Sequence, residues 1–347
     1  MYKKLDDILK DTEAVLITSP YNMRYFSSFS GGEGFLLISK DERVLFTDSR
    51  YTEVAEKEAK DFKVIETKKS SDLTDYINNK GFKEIAIEDN FMTVSSLENL
   101  KAKTTCAYIG KGKEIDRKRI IKTPFEIEKI KKAEEIGDNA FSHILKFIKE
   151  GITENDIATE LEYFMKKAGA EKTSFDTISI SGKKTSMPHG VPSDKKIEKG
   201  DFITLDFGCI YEGYCSDMTR TVVLGKASEK QKEIYNIVLS AQLKGLTMIK
   251  NGVKCADADR GAREIIEKAG YGEYFGHSLG HGVGLLIHEA PTLSPNSLDI
   301  LEENMVVSCE PGIYIPDFGG VRIEDLVVVN NGGCTILSKS DKNLLEI

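Results

Sequence analysis

The stretch TLDFGCIYEGYCSDMTR, Thr204–Arg220, carries two aspartates inside what reads as a pair of strands. Phe202–Ile210 and Tyr214–Val223 are rich in Ile, Phe, Thr, Tyr and Val, with Tyr211, Glu212 and Gly213 between them, which is the pattern of a hairpin. A hairpin centred between Tyr211 and Glu212 sets Asp206 and Asp217 opposite each other. Strands avoid Asp, like charges opposed across a ladder destabilise it, and desolvation adds to the cost. A chain that keeps both carboxylates needs positive charge between them, and a metal ion supplies it. Taken alone, the hairpin also admits one Asp in a turn and the other in solvent.

The same situation recurs downstream. Glu310 in SCEPGIYI and Glu324 in VRIEDL again sit in β-like runs. Upstream of them GHSLGHGVGLLIHE gathers His277, His281 and His288 among Gly276, Gly280, Gly282 and Gly284, with Gly272 just before. These glycines follow neither the dinucleotide pattern G-x-G-x-x-G after a strand nor a P-loop with its Lys. Close approach of backbone to a metal site accounts for them better. Of the two remaining histidines, His189 in MPHG precedes the first aspartate, and His143 reads as a helix-flank residue beside Ala140 and Phe147. Four carboxylates and one imidazole form a hard, oxygen-dominated donor set. It suits two Mn²⁺, Co²⁺ or Fe²⁺ ions better than a lone structural zinc, and such ion pairs activate water and polarise carbonyl or phosphoryl oxygens.

The chain is 347 residues long, more than one typical core holds, so two domains are expected. Residues 1–118 alternate the β-rich runs AVLITS, GFLLIS, RVLFT, FKVIET and EIAIED with amphipathic segments such as Tyr51–Lys60 and Val94–Ala102, predicting an α/β domain. The second domain, 119–347, is expected to be α+β. Its first helix starts at Thr123-Pro124-Phe125-Glu126, where Thr caps, Pro suits the first helical position and Glu completes a capping box. A second helix follows Gly151 with Thr153 and Asp156 as its box, a third begins at Ser228 with Gln231, and a fourth carries Ile265 and Ile266 and ends at Gly270. Lys149–Ile152 matches Lys250–Val253, and Ala168-Gly169 matches Ala269-Gly270, at one offset of 101 residues. A constant offset across two landmarks predicts a duplicated helix, helix, hairpin unit whose halves share one site.

Lys plus Arg number 48 against 56 acids, a net charge of −8, and no long basic run exists, so nucleic acid is not an expected partner. No apolar stretch of about 18 residues offers a membrane span, and MYKKLDDILKDTEAVL lacks the apolar core of a signal peptide. The expectation is a cytoplasmic protein without a membrane partner. Six scattered cysteines without a C-x-x-C pair read as buried free thiols.

The order Asp206, Asp217, His281, Glu310, Glu324 in the contexts LDFG, SDMTRT, GHGVG, CEPGIY and RIED resembles the pita-bread dinuclear metallopeptidases, and among them the Xaa-Pro peptidases, aminopeptidase P and prolidase. YNMRYFSSF and LFTDSRY are similar to the creatinase-type N-terminal domain of that group, so the resemblance spans nearly the whole chain. It implies a creatinase-like domain at 1–118 and a pita-bread catalytic domain with a pseudo-twofold repeat at 119–347. It further implies two divalent ions, Mn²⁺ foremost with Co²⁺, Zn²⁺ or Fe²⁺ as alternatives, held by Asp206, Asp217, His281, Glu310 and Glu324. Glu310 would take the proton of the attacking water, His277 and His288 would steady the oxyanion and leaving group, and His189 would help hold the substrate. Arg322, pointing the same way as Glu324 along a strand, is a candidate clamp on the substrate or behind the ligands. Tyr314, by adjacency, is expected in the substrate pocket. The implied substrates are short peptides with proline in second position, and the implied assembly is a homodimer.

Two other classes compete. Creatine amidinohydrolases and the peptidase-like domains of histone chaperones keep the fold without metal, but here no ligand is missing. A purely structural metal site leaves His189, His277 and His288 without a task. Between the two peptidase activities the sequence favours aminopeptidase P, because EAPTLSPNS after His288 has no Arg to meet the free carboxylate of a dipeptide.

Overall fold

A computed structural model describes residues 5–347. They divide into a first compact unit ending at Arg119 and a second formed by Ile120–Ile347. The first is built on a six-stranded mixed sheet in the order Lys63–Glu66, Arg43–Thr47, Phe35–Ser39, Ala14–Ile17, Glu84–Ile87, Ala107–Gly110. Ala14–Ile17 lies inside the sheet, antiparallel to one neighbour and parallel to the other, and all four residues are buried. A near-continuous apolar run is what a strand covered on both faces requires. The sequence reading does not include the edge strand Ala107–Gly110 or the helix Asp72–Lys80. AYIG is only half-buried at its centre and ends in Gly, so it carries little strand signal.

In the second unit three of the four helices start where their caps place them. Thr123 and Glu126 form a reciprocal capping box on Pro124–Phe147, Thr153 and Asp156 cap Glu154–Lys167, and Ser228 and Gln231 cap Glu229–Met248. Cys255–Lys268 is the fourth. Each helix pair covers its own core. Ile136, Ala140, Ile144, Leu161 and Met165 pack with Leu205 and Phe207, while Ile234, Val238, Ala241 and Ile266 pack with Val307 and Val327. The recurrence seen in the sequence reappears in the backbone. Gly151 and Gly252 both have left-handed φ, 89° and 83°, and so do Gly169 and Gly270, 106° and 86°.

Both hairpins are split between two small sheets, and the split decides where the acids go. The first runs Phe202–Phe207, then Cys209–Tyr211, and returns as Tyr214–Cys215 and Met218–Val223. The opposed-aspartate expectation is overturned. Tyr211 pairs with Tyr214, so the loop is Glu212-Gly213, both residues at positive φ, 45° and 85°. That two-residue loop, of the primed kind that fits strand twist, recentres the hairpin so that Asp206 faces Thr219. Asp217 falls in the break before Met218, across from Gly208. In the second hairpin Cys309 pairs with Asp325 and Gly312 with Arg322, and this shared register sets Glu310 opposite Glu324 across the break between them. Acids therefore do oppose each other, one hairpin later than the sequence reading has it. Asp206 alone sits within a strand, where its poor propensity, on a scale of about 1 kcal/mol, is outweighed by the fully buried Leu205 and Phe207 beside it, about 1.5–3 kcal/mol each.

Gly208 makes the first break possible. A Cβ there would lie 2.0 Å from the Ser216 carbonyl oxygen and 2.4 Å from Ser174 Oγ, and Ser174 Oγ itself donates to Ser216 O. We expect Gly208→Ala to push Ser216 and Asp217 out of place, lowering both the thermal midpoint and Mn²⁺ affinity. Unchanged Mn²⁺ affinity by calorimetry would show that the break does not set Asp217.

Candidate metal centre

The four acids and four of the five histidines meet in one cavity of about 620 Å³ in the second unit. Its wall includes Asp206, Asp217, Glu310, Glu324, His189, His277, His281, His288 and Arg322, with Phe175, Ile178, Pro188, Val191 and Pro192 supplying apolar surface. Ligating atoms of Asp217, His281 and Glu324 lie within 4.8 Å of one another. His281 Nε2 is 3.5 Å from Asp217 Oδ2 and 3.3 Å from Glu310 Oε1. His281 Nδ1 donates to Gly282 O at 3.2 Å, leaving the Nε2 lone pair aimed at the carboxylates. That is the tautomer a metal ligand needs.

The electrostatics of the cluster favour a cation among the carboxylates. Burial first, then the neighbouring carboxylates Glu324, Asp206 and Glu310, hold the Asp217 carboxyl well above its ordinary value. Burial and the charges of Glu310 and Asp206 do the same to Glu324. Burial, opposed in part by Arg322, pushes Glu310 up to about 7. Asp206 Oδ1 and Glu324 Oε1 are buried with no hydrogen-bond partner. Unsatisfied buried acceptors are costly, and a hard divalent cation is the group they fit.

What surrounds the acids fixes them. Thr219 Oγ1 donates to Glu324 Oε2 at 2.7 Å, and Ser308 Oγ donates to Glu310 Oε1 at 3.0 Å while accepting from His281 N at 3.0 Å. The sequence reading missed both hydroxyls, since a buried Ser or Thr in a strand carries no distinguishing pattern. Arg322 donates to Asp206 Oδ2 at 2.5 Å, Thr219 Oγ1 at 3.0 Å, Tyr314 OH at 2.8 Å and Pro188 O at 3.4 Å. Four of its five N–H groups thus serve protein partners. Tyr314 stands behind the wall and reaches it only through its neighbours, because its hydroxyl accepts from Arg322 and donates to His277 Nε2 at 2.8 Å. His277 Nδ1 in turn donates to Ser278 O at 2.8 Å, so both ring nitrogens are engaged, and burial lowers the imidazole to about 4. His288 packs edge-on against His281 with ring centres 4.4 Å apart, and burial lowers it too. His189 lines the same wall, on the stretch that also supplies Pro188, Val191 and Pro192. His143 lies outside it, stacked on Phe164 and 2.6 Å from Glu160.

The glycines around His281 allow close approach of backbone to backbone. A Cβ on Gly280 would meet Ser308 O at 2.1 Å and one on Gly282 would meet Ala290 O at 2.3 Å. The tight neighbours are the flanking strands Val306–Cys309 and Glu289–Leu293, not the metal site itself. All six cysteines are free, five of them buried. Among the described residues no helix is long and apolar enough to cross a membrane.

This fold and site define a two-domain metallopeptidase. Residues 128–331 match Metallopeptidase family M24 and residues 2–121 match the Creatinase/Prolidase N-terminal domain. The chain belongs to family M24. It is 43% identical to the Xaa-Pro dipeptidase of Pyrococcus furiosus, covering 99% of this chain and 100% of that one. Among solved structures, the Xaa-Pro dipeptidase from Bacillus anthracis superposes with a TM-score of 0.97 at 44% identity, covering 99% of this chain and 98% of the other. The X-Pro aminopeptidase from Thermotoga maritima superposes with a TM-score of 0.91 at 42% identity, covering 97% and 98%.

The raised carboxyls give a signed pH dependence. As pH rises from the ordinary Glu value of 4.5 to about 7, the unfolded chain releases the Glu310 proton before the folded protein does. Metal-free stability from this group is therefore lost across that window, with Asp217 and Glu324 acting in the same direction. A bound cation favours the ionised forms and removes the loss. The thermal shift produced by saturating Mn²⁺ is expected to be larger at about pH 7.5 than at about pH 5; equal shifts would contradict this.

Proposed function

We propose that this chain is a Xaa-Pro dipeptidase working with two divalent metal ions, Mn²⁺ foremost, held by Asp206, Asp217, His281, Glu310 and Glu324. The observation that carries the reading is the convergence of Asp217, His281 and Glu324 within 4.8 Å on a wall that also holds Asp206 and Glu310. When bound, the ions supply Lewis acidity toward water and the scissile carbonyl.

The rest is the work of the chain's own groups. Glu310, on the wall with one oxygen tied by Ser308, is placed to accept a proton. His288, uncharged at neutral pH and on the wall, can donate an N–H to the developing oxyanion or the substrate carboxylate, and His189 can do so from its own stretch of the wall. His277 works differently from the oxyanion donor of the sequence reading: with both nitrogens occupied it fixes Tyr314, which fixes Arg322, which fixes Asp206. Phe175, Ile178, Pro188, Val191 and Pro192 provide apolar surface for the proline ring and the Xaa side chain. Short peptides with proline second are the proposed substrates, and a cytoplasmic homodimer the proposed setting, by analogy with the family.

The names of the relatives support the dipeptidase better than the aminopeptidase P favoured from sequence. A second reading, Xaa-Pro aminopeptidase, is kept by one observation. The wall's single guanidinium, Arg322, is committed to protein partners, and among the described residues no lysine lines the cavity to meet a free proline carboxylate.

Turnover of Leu-Pro and Leu-Pro-Gly by the Mn²⁺-loaded protein separates them. The dipeptidase reading expects kcat/KM to favour Leu-Pro by about tenfold or more. The reverse preference selects the aminopeptidase, and no release of Leu from either overturns both. Glu310→Gln is expected to lower kcat by a factor of about 10²–10⁴; near-normal turnover would remove Glu310 from proton transfer.

A further inference from the structure

Among the described residues Arg220 is the largest fully buried side chain, 1% exposed; it does not itself line the cavity but lies directly behind Glu324, which does. All five of its N–H groups are used. Nη1 donates to Thr219 O at 2.9 Å and to Glu324 O; Nη2 donates to Asp325 Oδ1 at 2.8 Å and Ser340 O at 2.9 Å; Nε donates to Asp341 O at 3.1 Å. One guanidinium thereby joins the strand Met218–Val223, the backbone of Glu324 and the segment around Ser340. Glu324 is held at three points by this arrangement: its carbonyl by Arg220, its N–H by Thr219 O at 3.1 Å, its carboxylate by Thr219 Oγ1.

The segment Ser338–Lys342 has its own anchors. Asp138, on the helix Pro124–Phe147, accepts from Lys339 N at 2.9 Å, Ser340 N at 2.7 Å and Ser340 Oγ at 2.6 Å. Ser338 Oγ donates to Glu134 Oε1 at 2.5 Å and accepts from Leu326 N at 2.9 Å, and the other Glu134 oxygen accepts from Asp217 N at 3.4 Å. Lys342 Nζ donates to Asp325 Oδ2 at 2.6 Å, next to Glu324. So the segment reaches Glu324 by way of Arg220 and Asp325, and Asp217 by way of Glu134. It lies beyond residue 331, where the match to family M24 ends.

We propose that Ser338–Lys342 and Arg220 form a positioning element that presets Glu324 and Asp217 for metal from the side away from the cavity. The inference rests on the metal-centre reading above. Its physical basis is that two mutually repelling carboxylates keep a converging geometry only if their backbones are fixed from behind. Outer-shell groups of this kind control metal affinity by about 10–100-fold when removed. A guanidinium fork does this where an ammonium cannot, because it bonds five acceptors in one plane.

The test uses the full chain. Arg220→Lys keeps the buried charge opposite Asp325 but loses the fork. Titrated with Mn²⁺ by calorimetry, it is expected to bind at least about tenfold more weakly than the unaltered protein. At fixed Mn²⁺ its kcat on Leu-Pro falls with KM unchanged, and activity returns as Mn²⁺ is raised. Should Arg220→Lys not fold, Ser338→Ala and Asp138→Asn loosen the same segment from its outer face and carry the same expectation. Variants that lose thermal stability while keeping unaltered Mn²⁺ affinity and kcat would overturn the proposal and leave the element merely structural. Failure of the unaltered protein to bind Mn²⁺ would instead overturn the metal centre itself.

Discussion

The second unit depends on one electrostatic constraint: four carboxylates brought into a sheltered cavity repel one another and forfeit their hydration. Burial and mutual charge raise Asp217, Glu310 and Glu324 together, and among the described residues Arg322 is the one fixed cation in the wall to set against them. Arg322 is bonded to Asp206 and so neutralises at most one of the four. The remaining charge calls for divalent cations. Much of the local architecture then follows: glycines where strands crowd His281, hydroxyls on Glu310 and Glu324, and a neutral His281 with its free lone pair turned inward.

The hairpin breaks are the means by which the constraint is met. Within a continuous ladder a side chain's direction is set by the pleat. At Gly208, Ser216-Asp217, Glu310-Pro311 and Ile323-Glu324 the chain leaves one small sheet before joining the next, so the backbone can turn its side chain toward a common point. Asp217, Glu310 and Glu324 all use such breaks. Asp206 remains in a strand, and its side chain is the one that needs an arginine to hold it.

Much of this was legible in the sequence. Three capping boxes placed the helices Pro124–Phe147, Glu154–Lys167 and Glu229–Met248, because capping is local chemistry within four residues. The constant offset exposed the duplication, and the acids and histidines pointed to one chemistry. Register was not legible: the difference between a loop at Tyr211-Glu212 and one at Glu212-Gly213 moves Asp217 two positions, and β-rich flanks do not distinguish them. Nor were Tyr314 and His277 readable in their actual places, since their engagement with Arg322 joins residues far apart in the chain. The roles of Ser308, Thr219, Glu134 and Arg220 are likewise tertiary, set by which backbone groups arrive beside them. The edge strand Ala107–Gly110 escaped because half-burial leaves a weak pattern.

The central claim is that cations make this gathering of acids tolerable. Anomalous diffraction from crystals grown with Mn²⁺ addresses it most directly. The account expects two strong anomalous peaks enclosed by Asp206, Asp217, His281, Glu310 and Glu324. A fully folded crystal whose acidic cavity shows no anomalous peak, or shows one only at a surface carboxylate elsewhere, would contradict it.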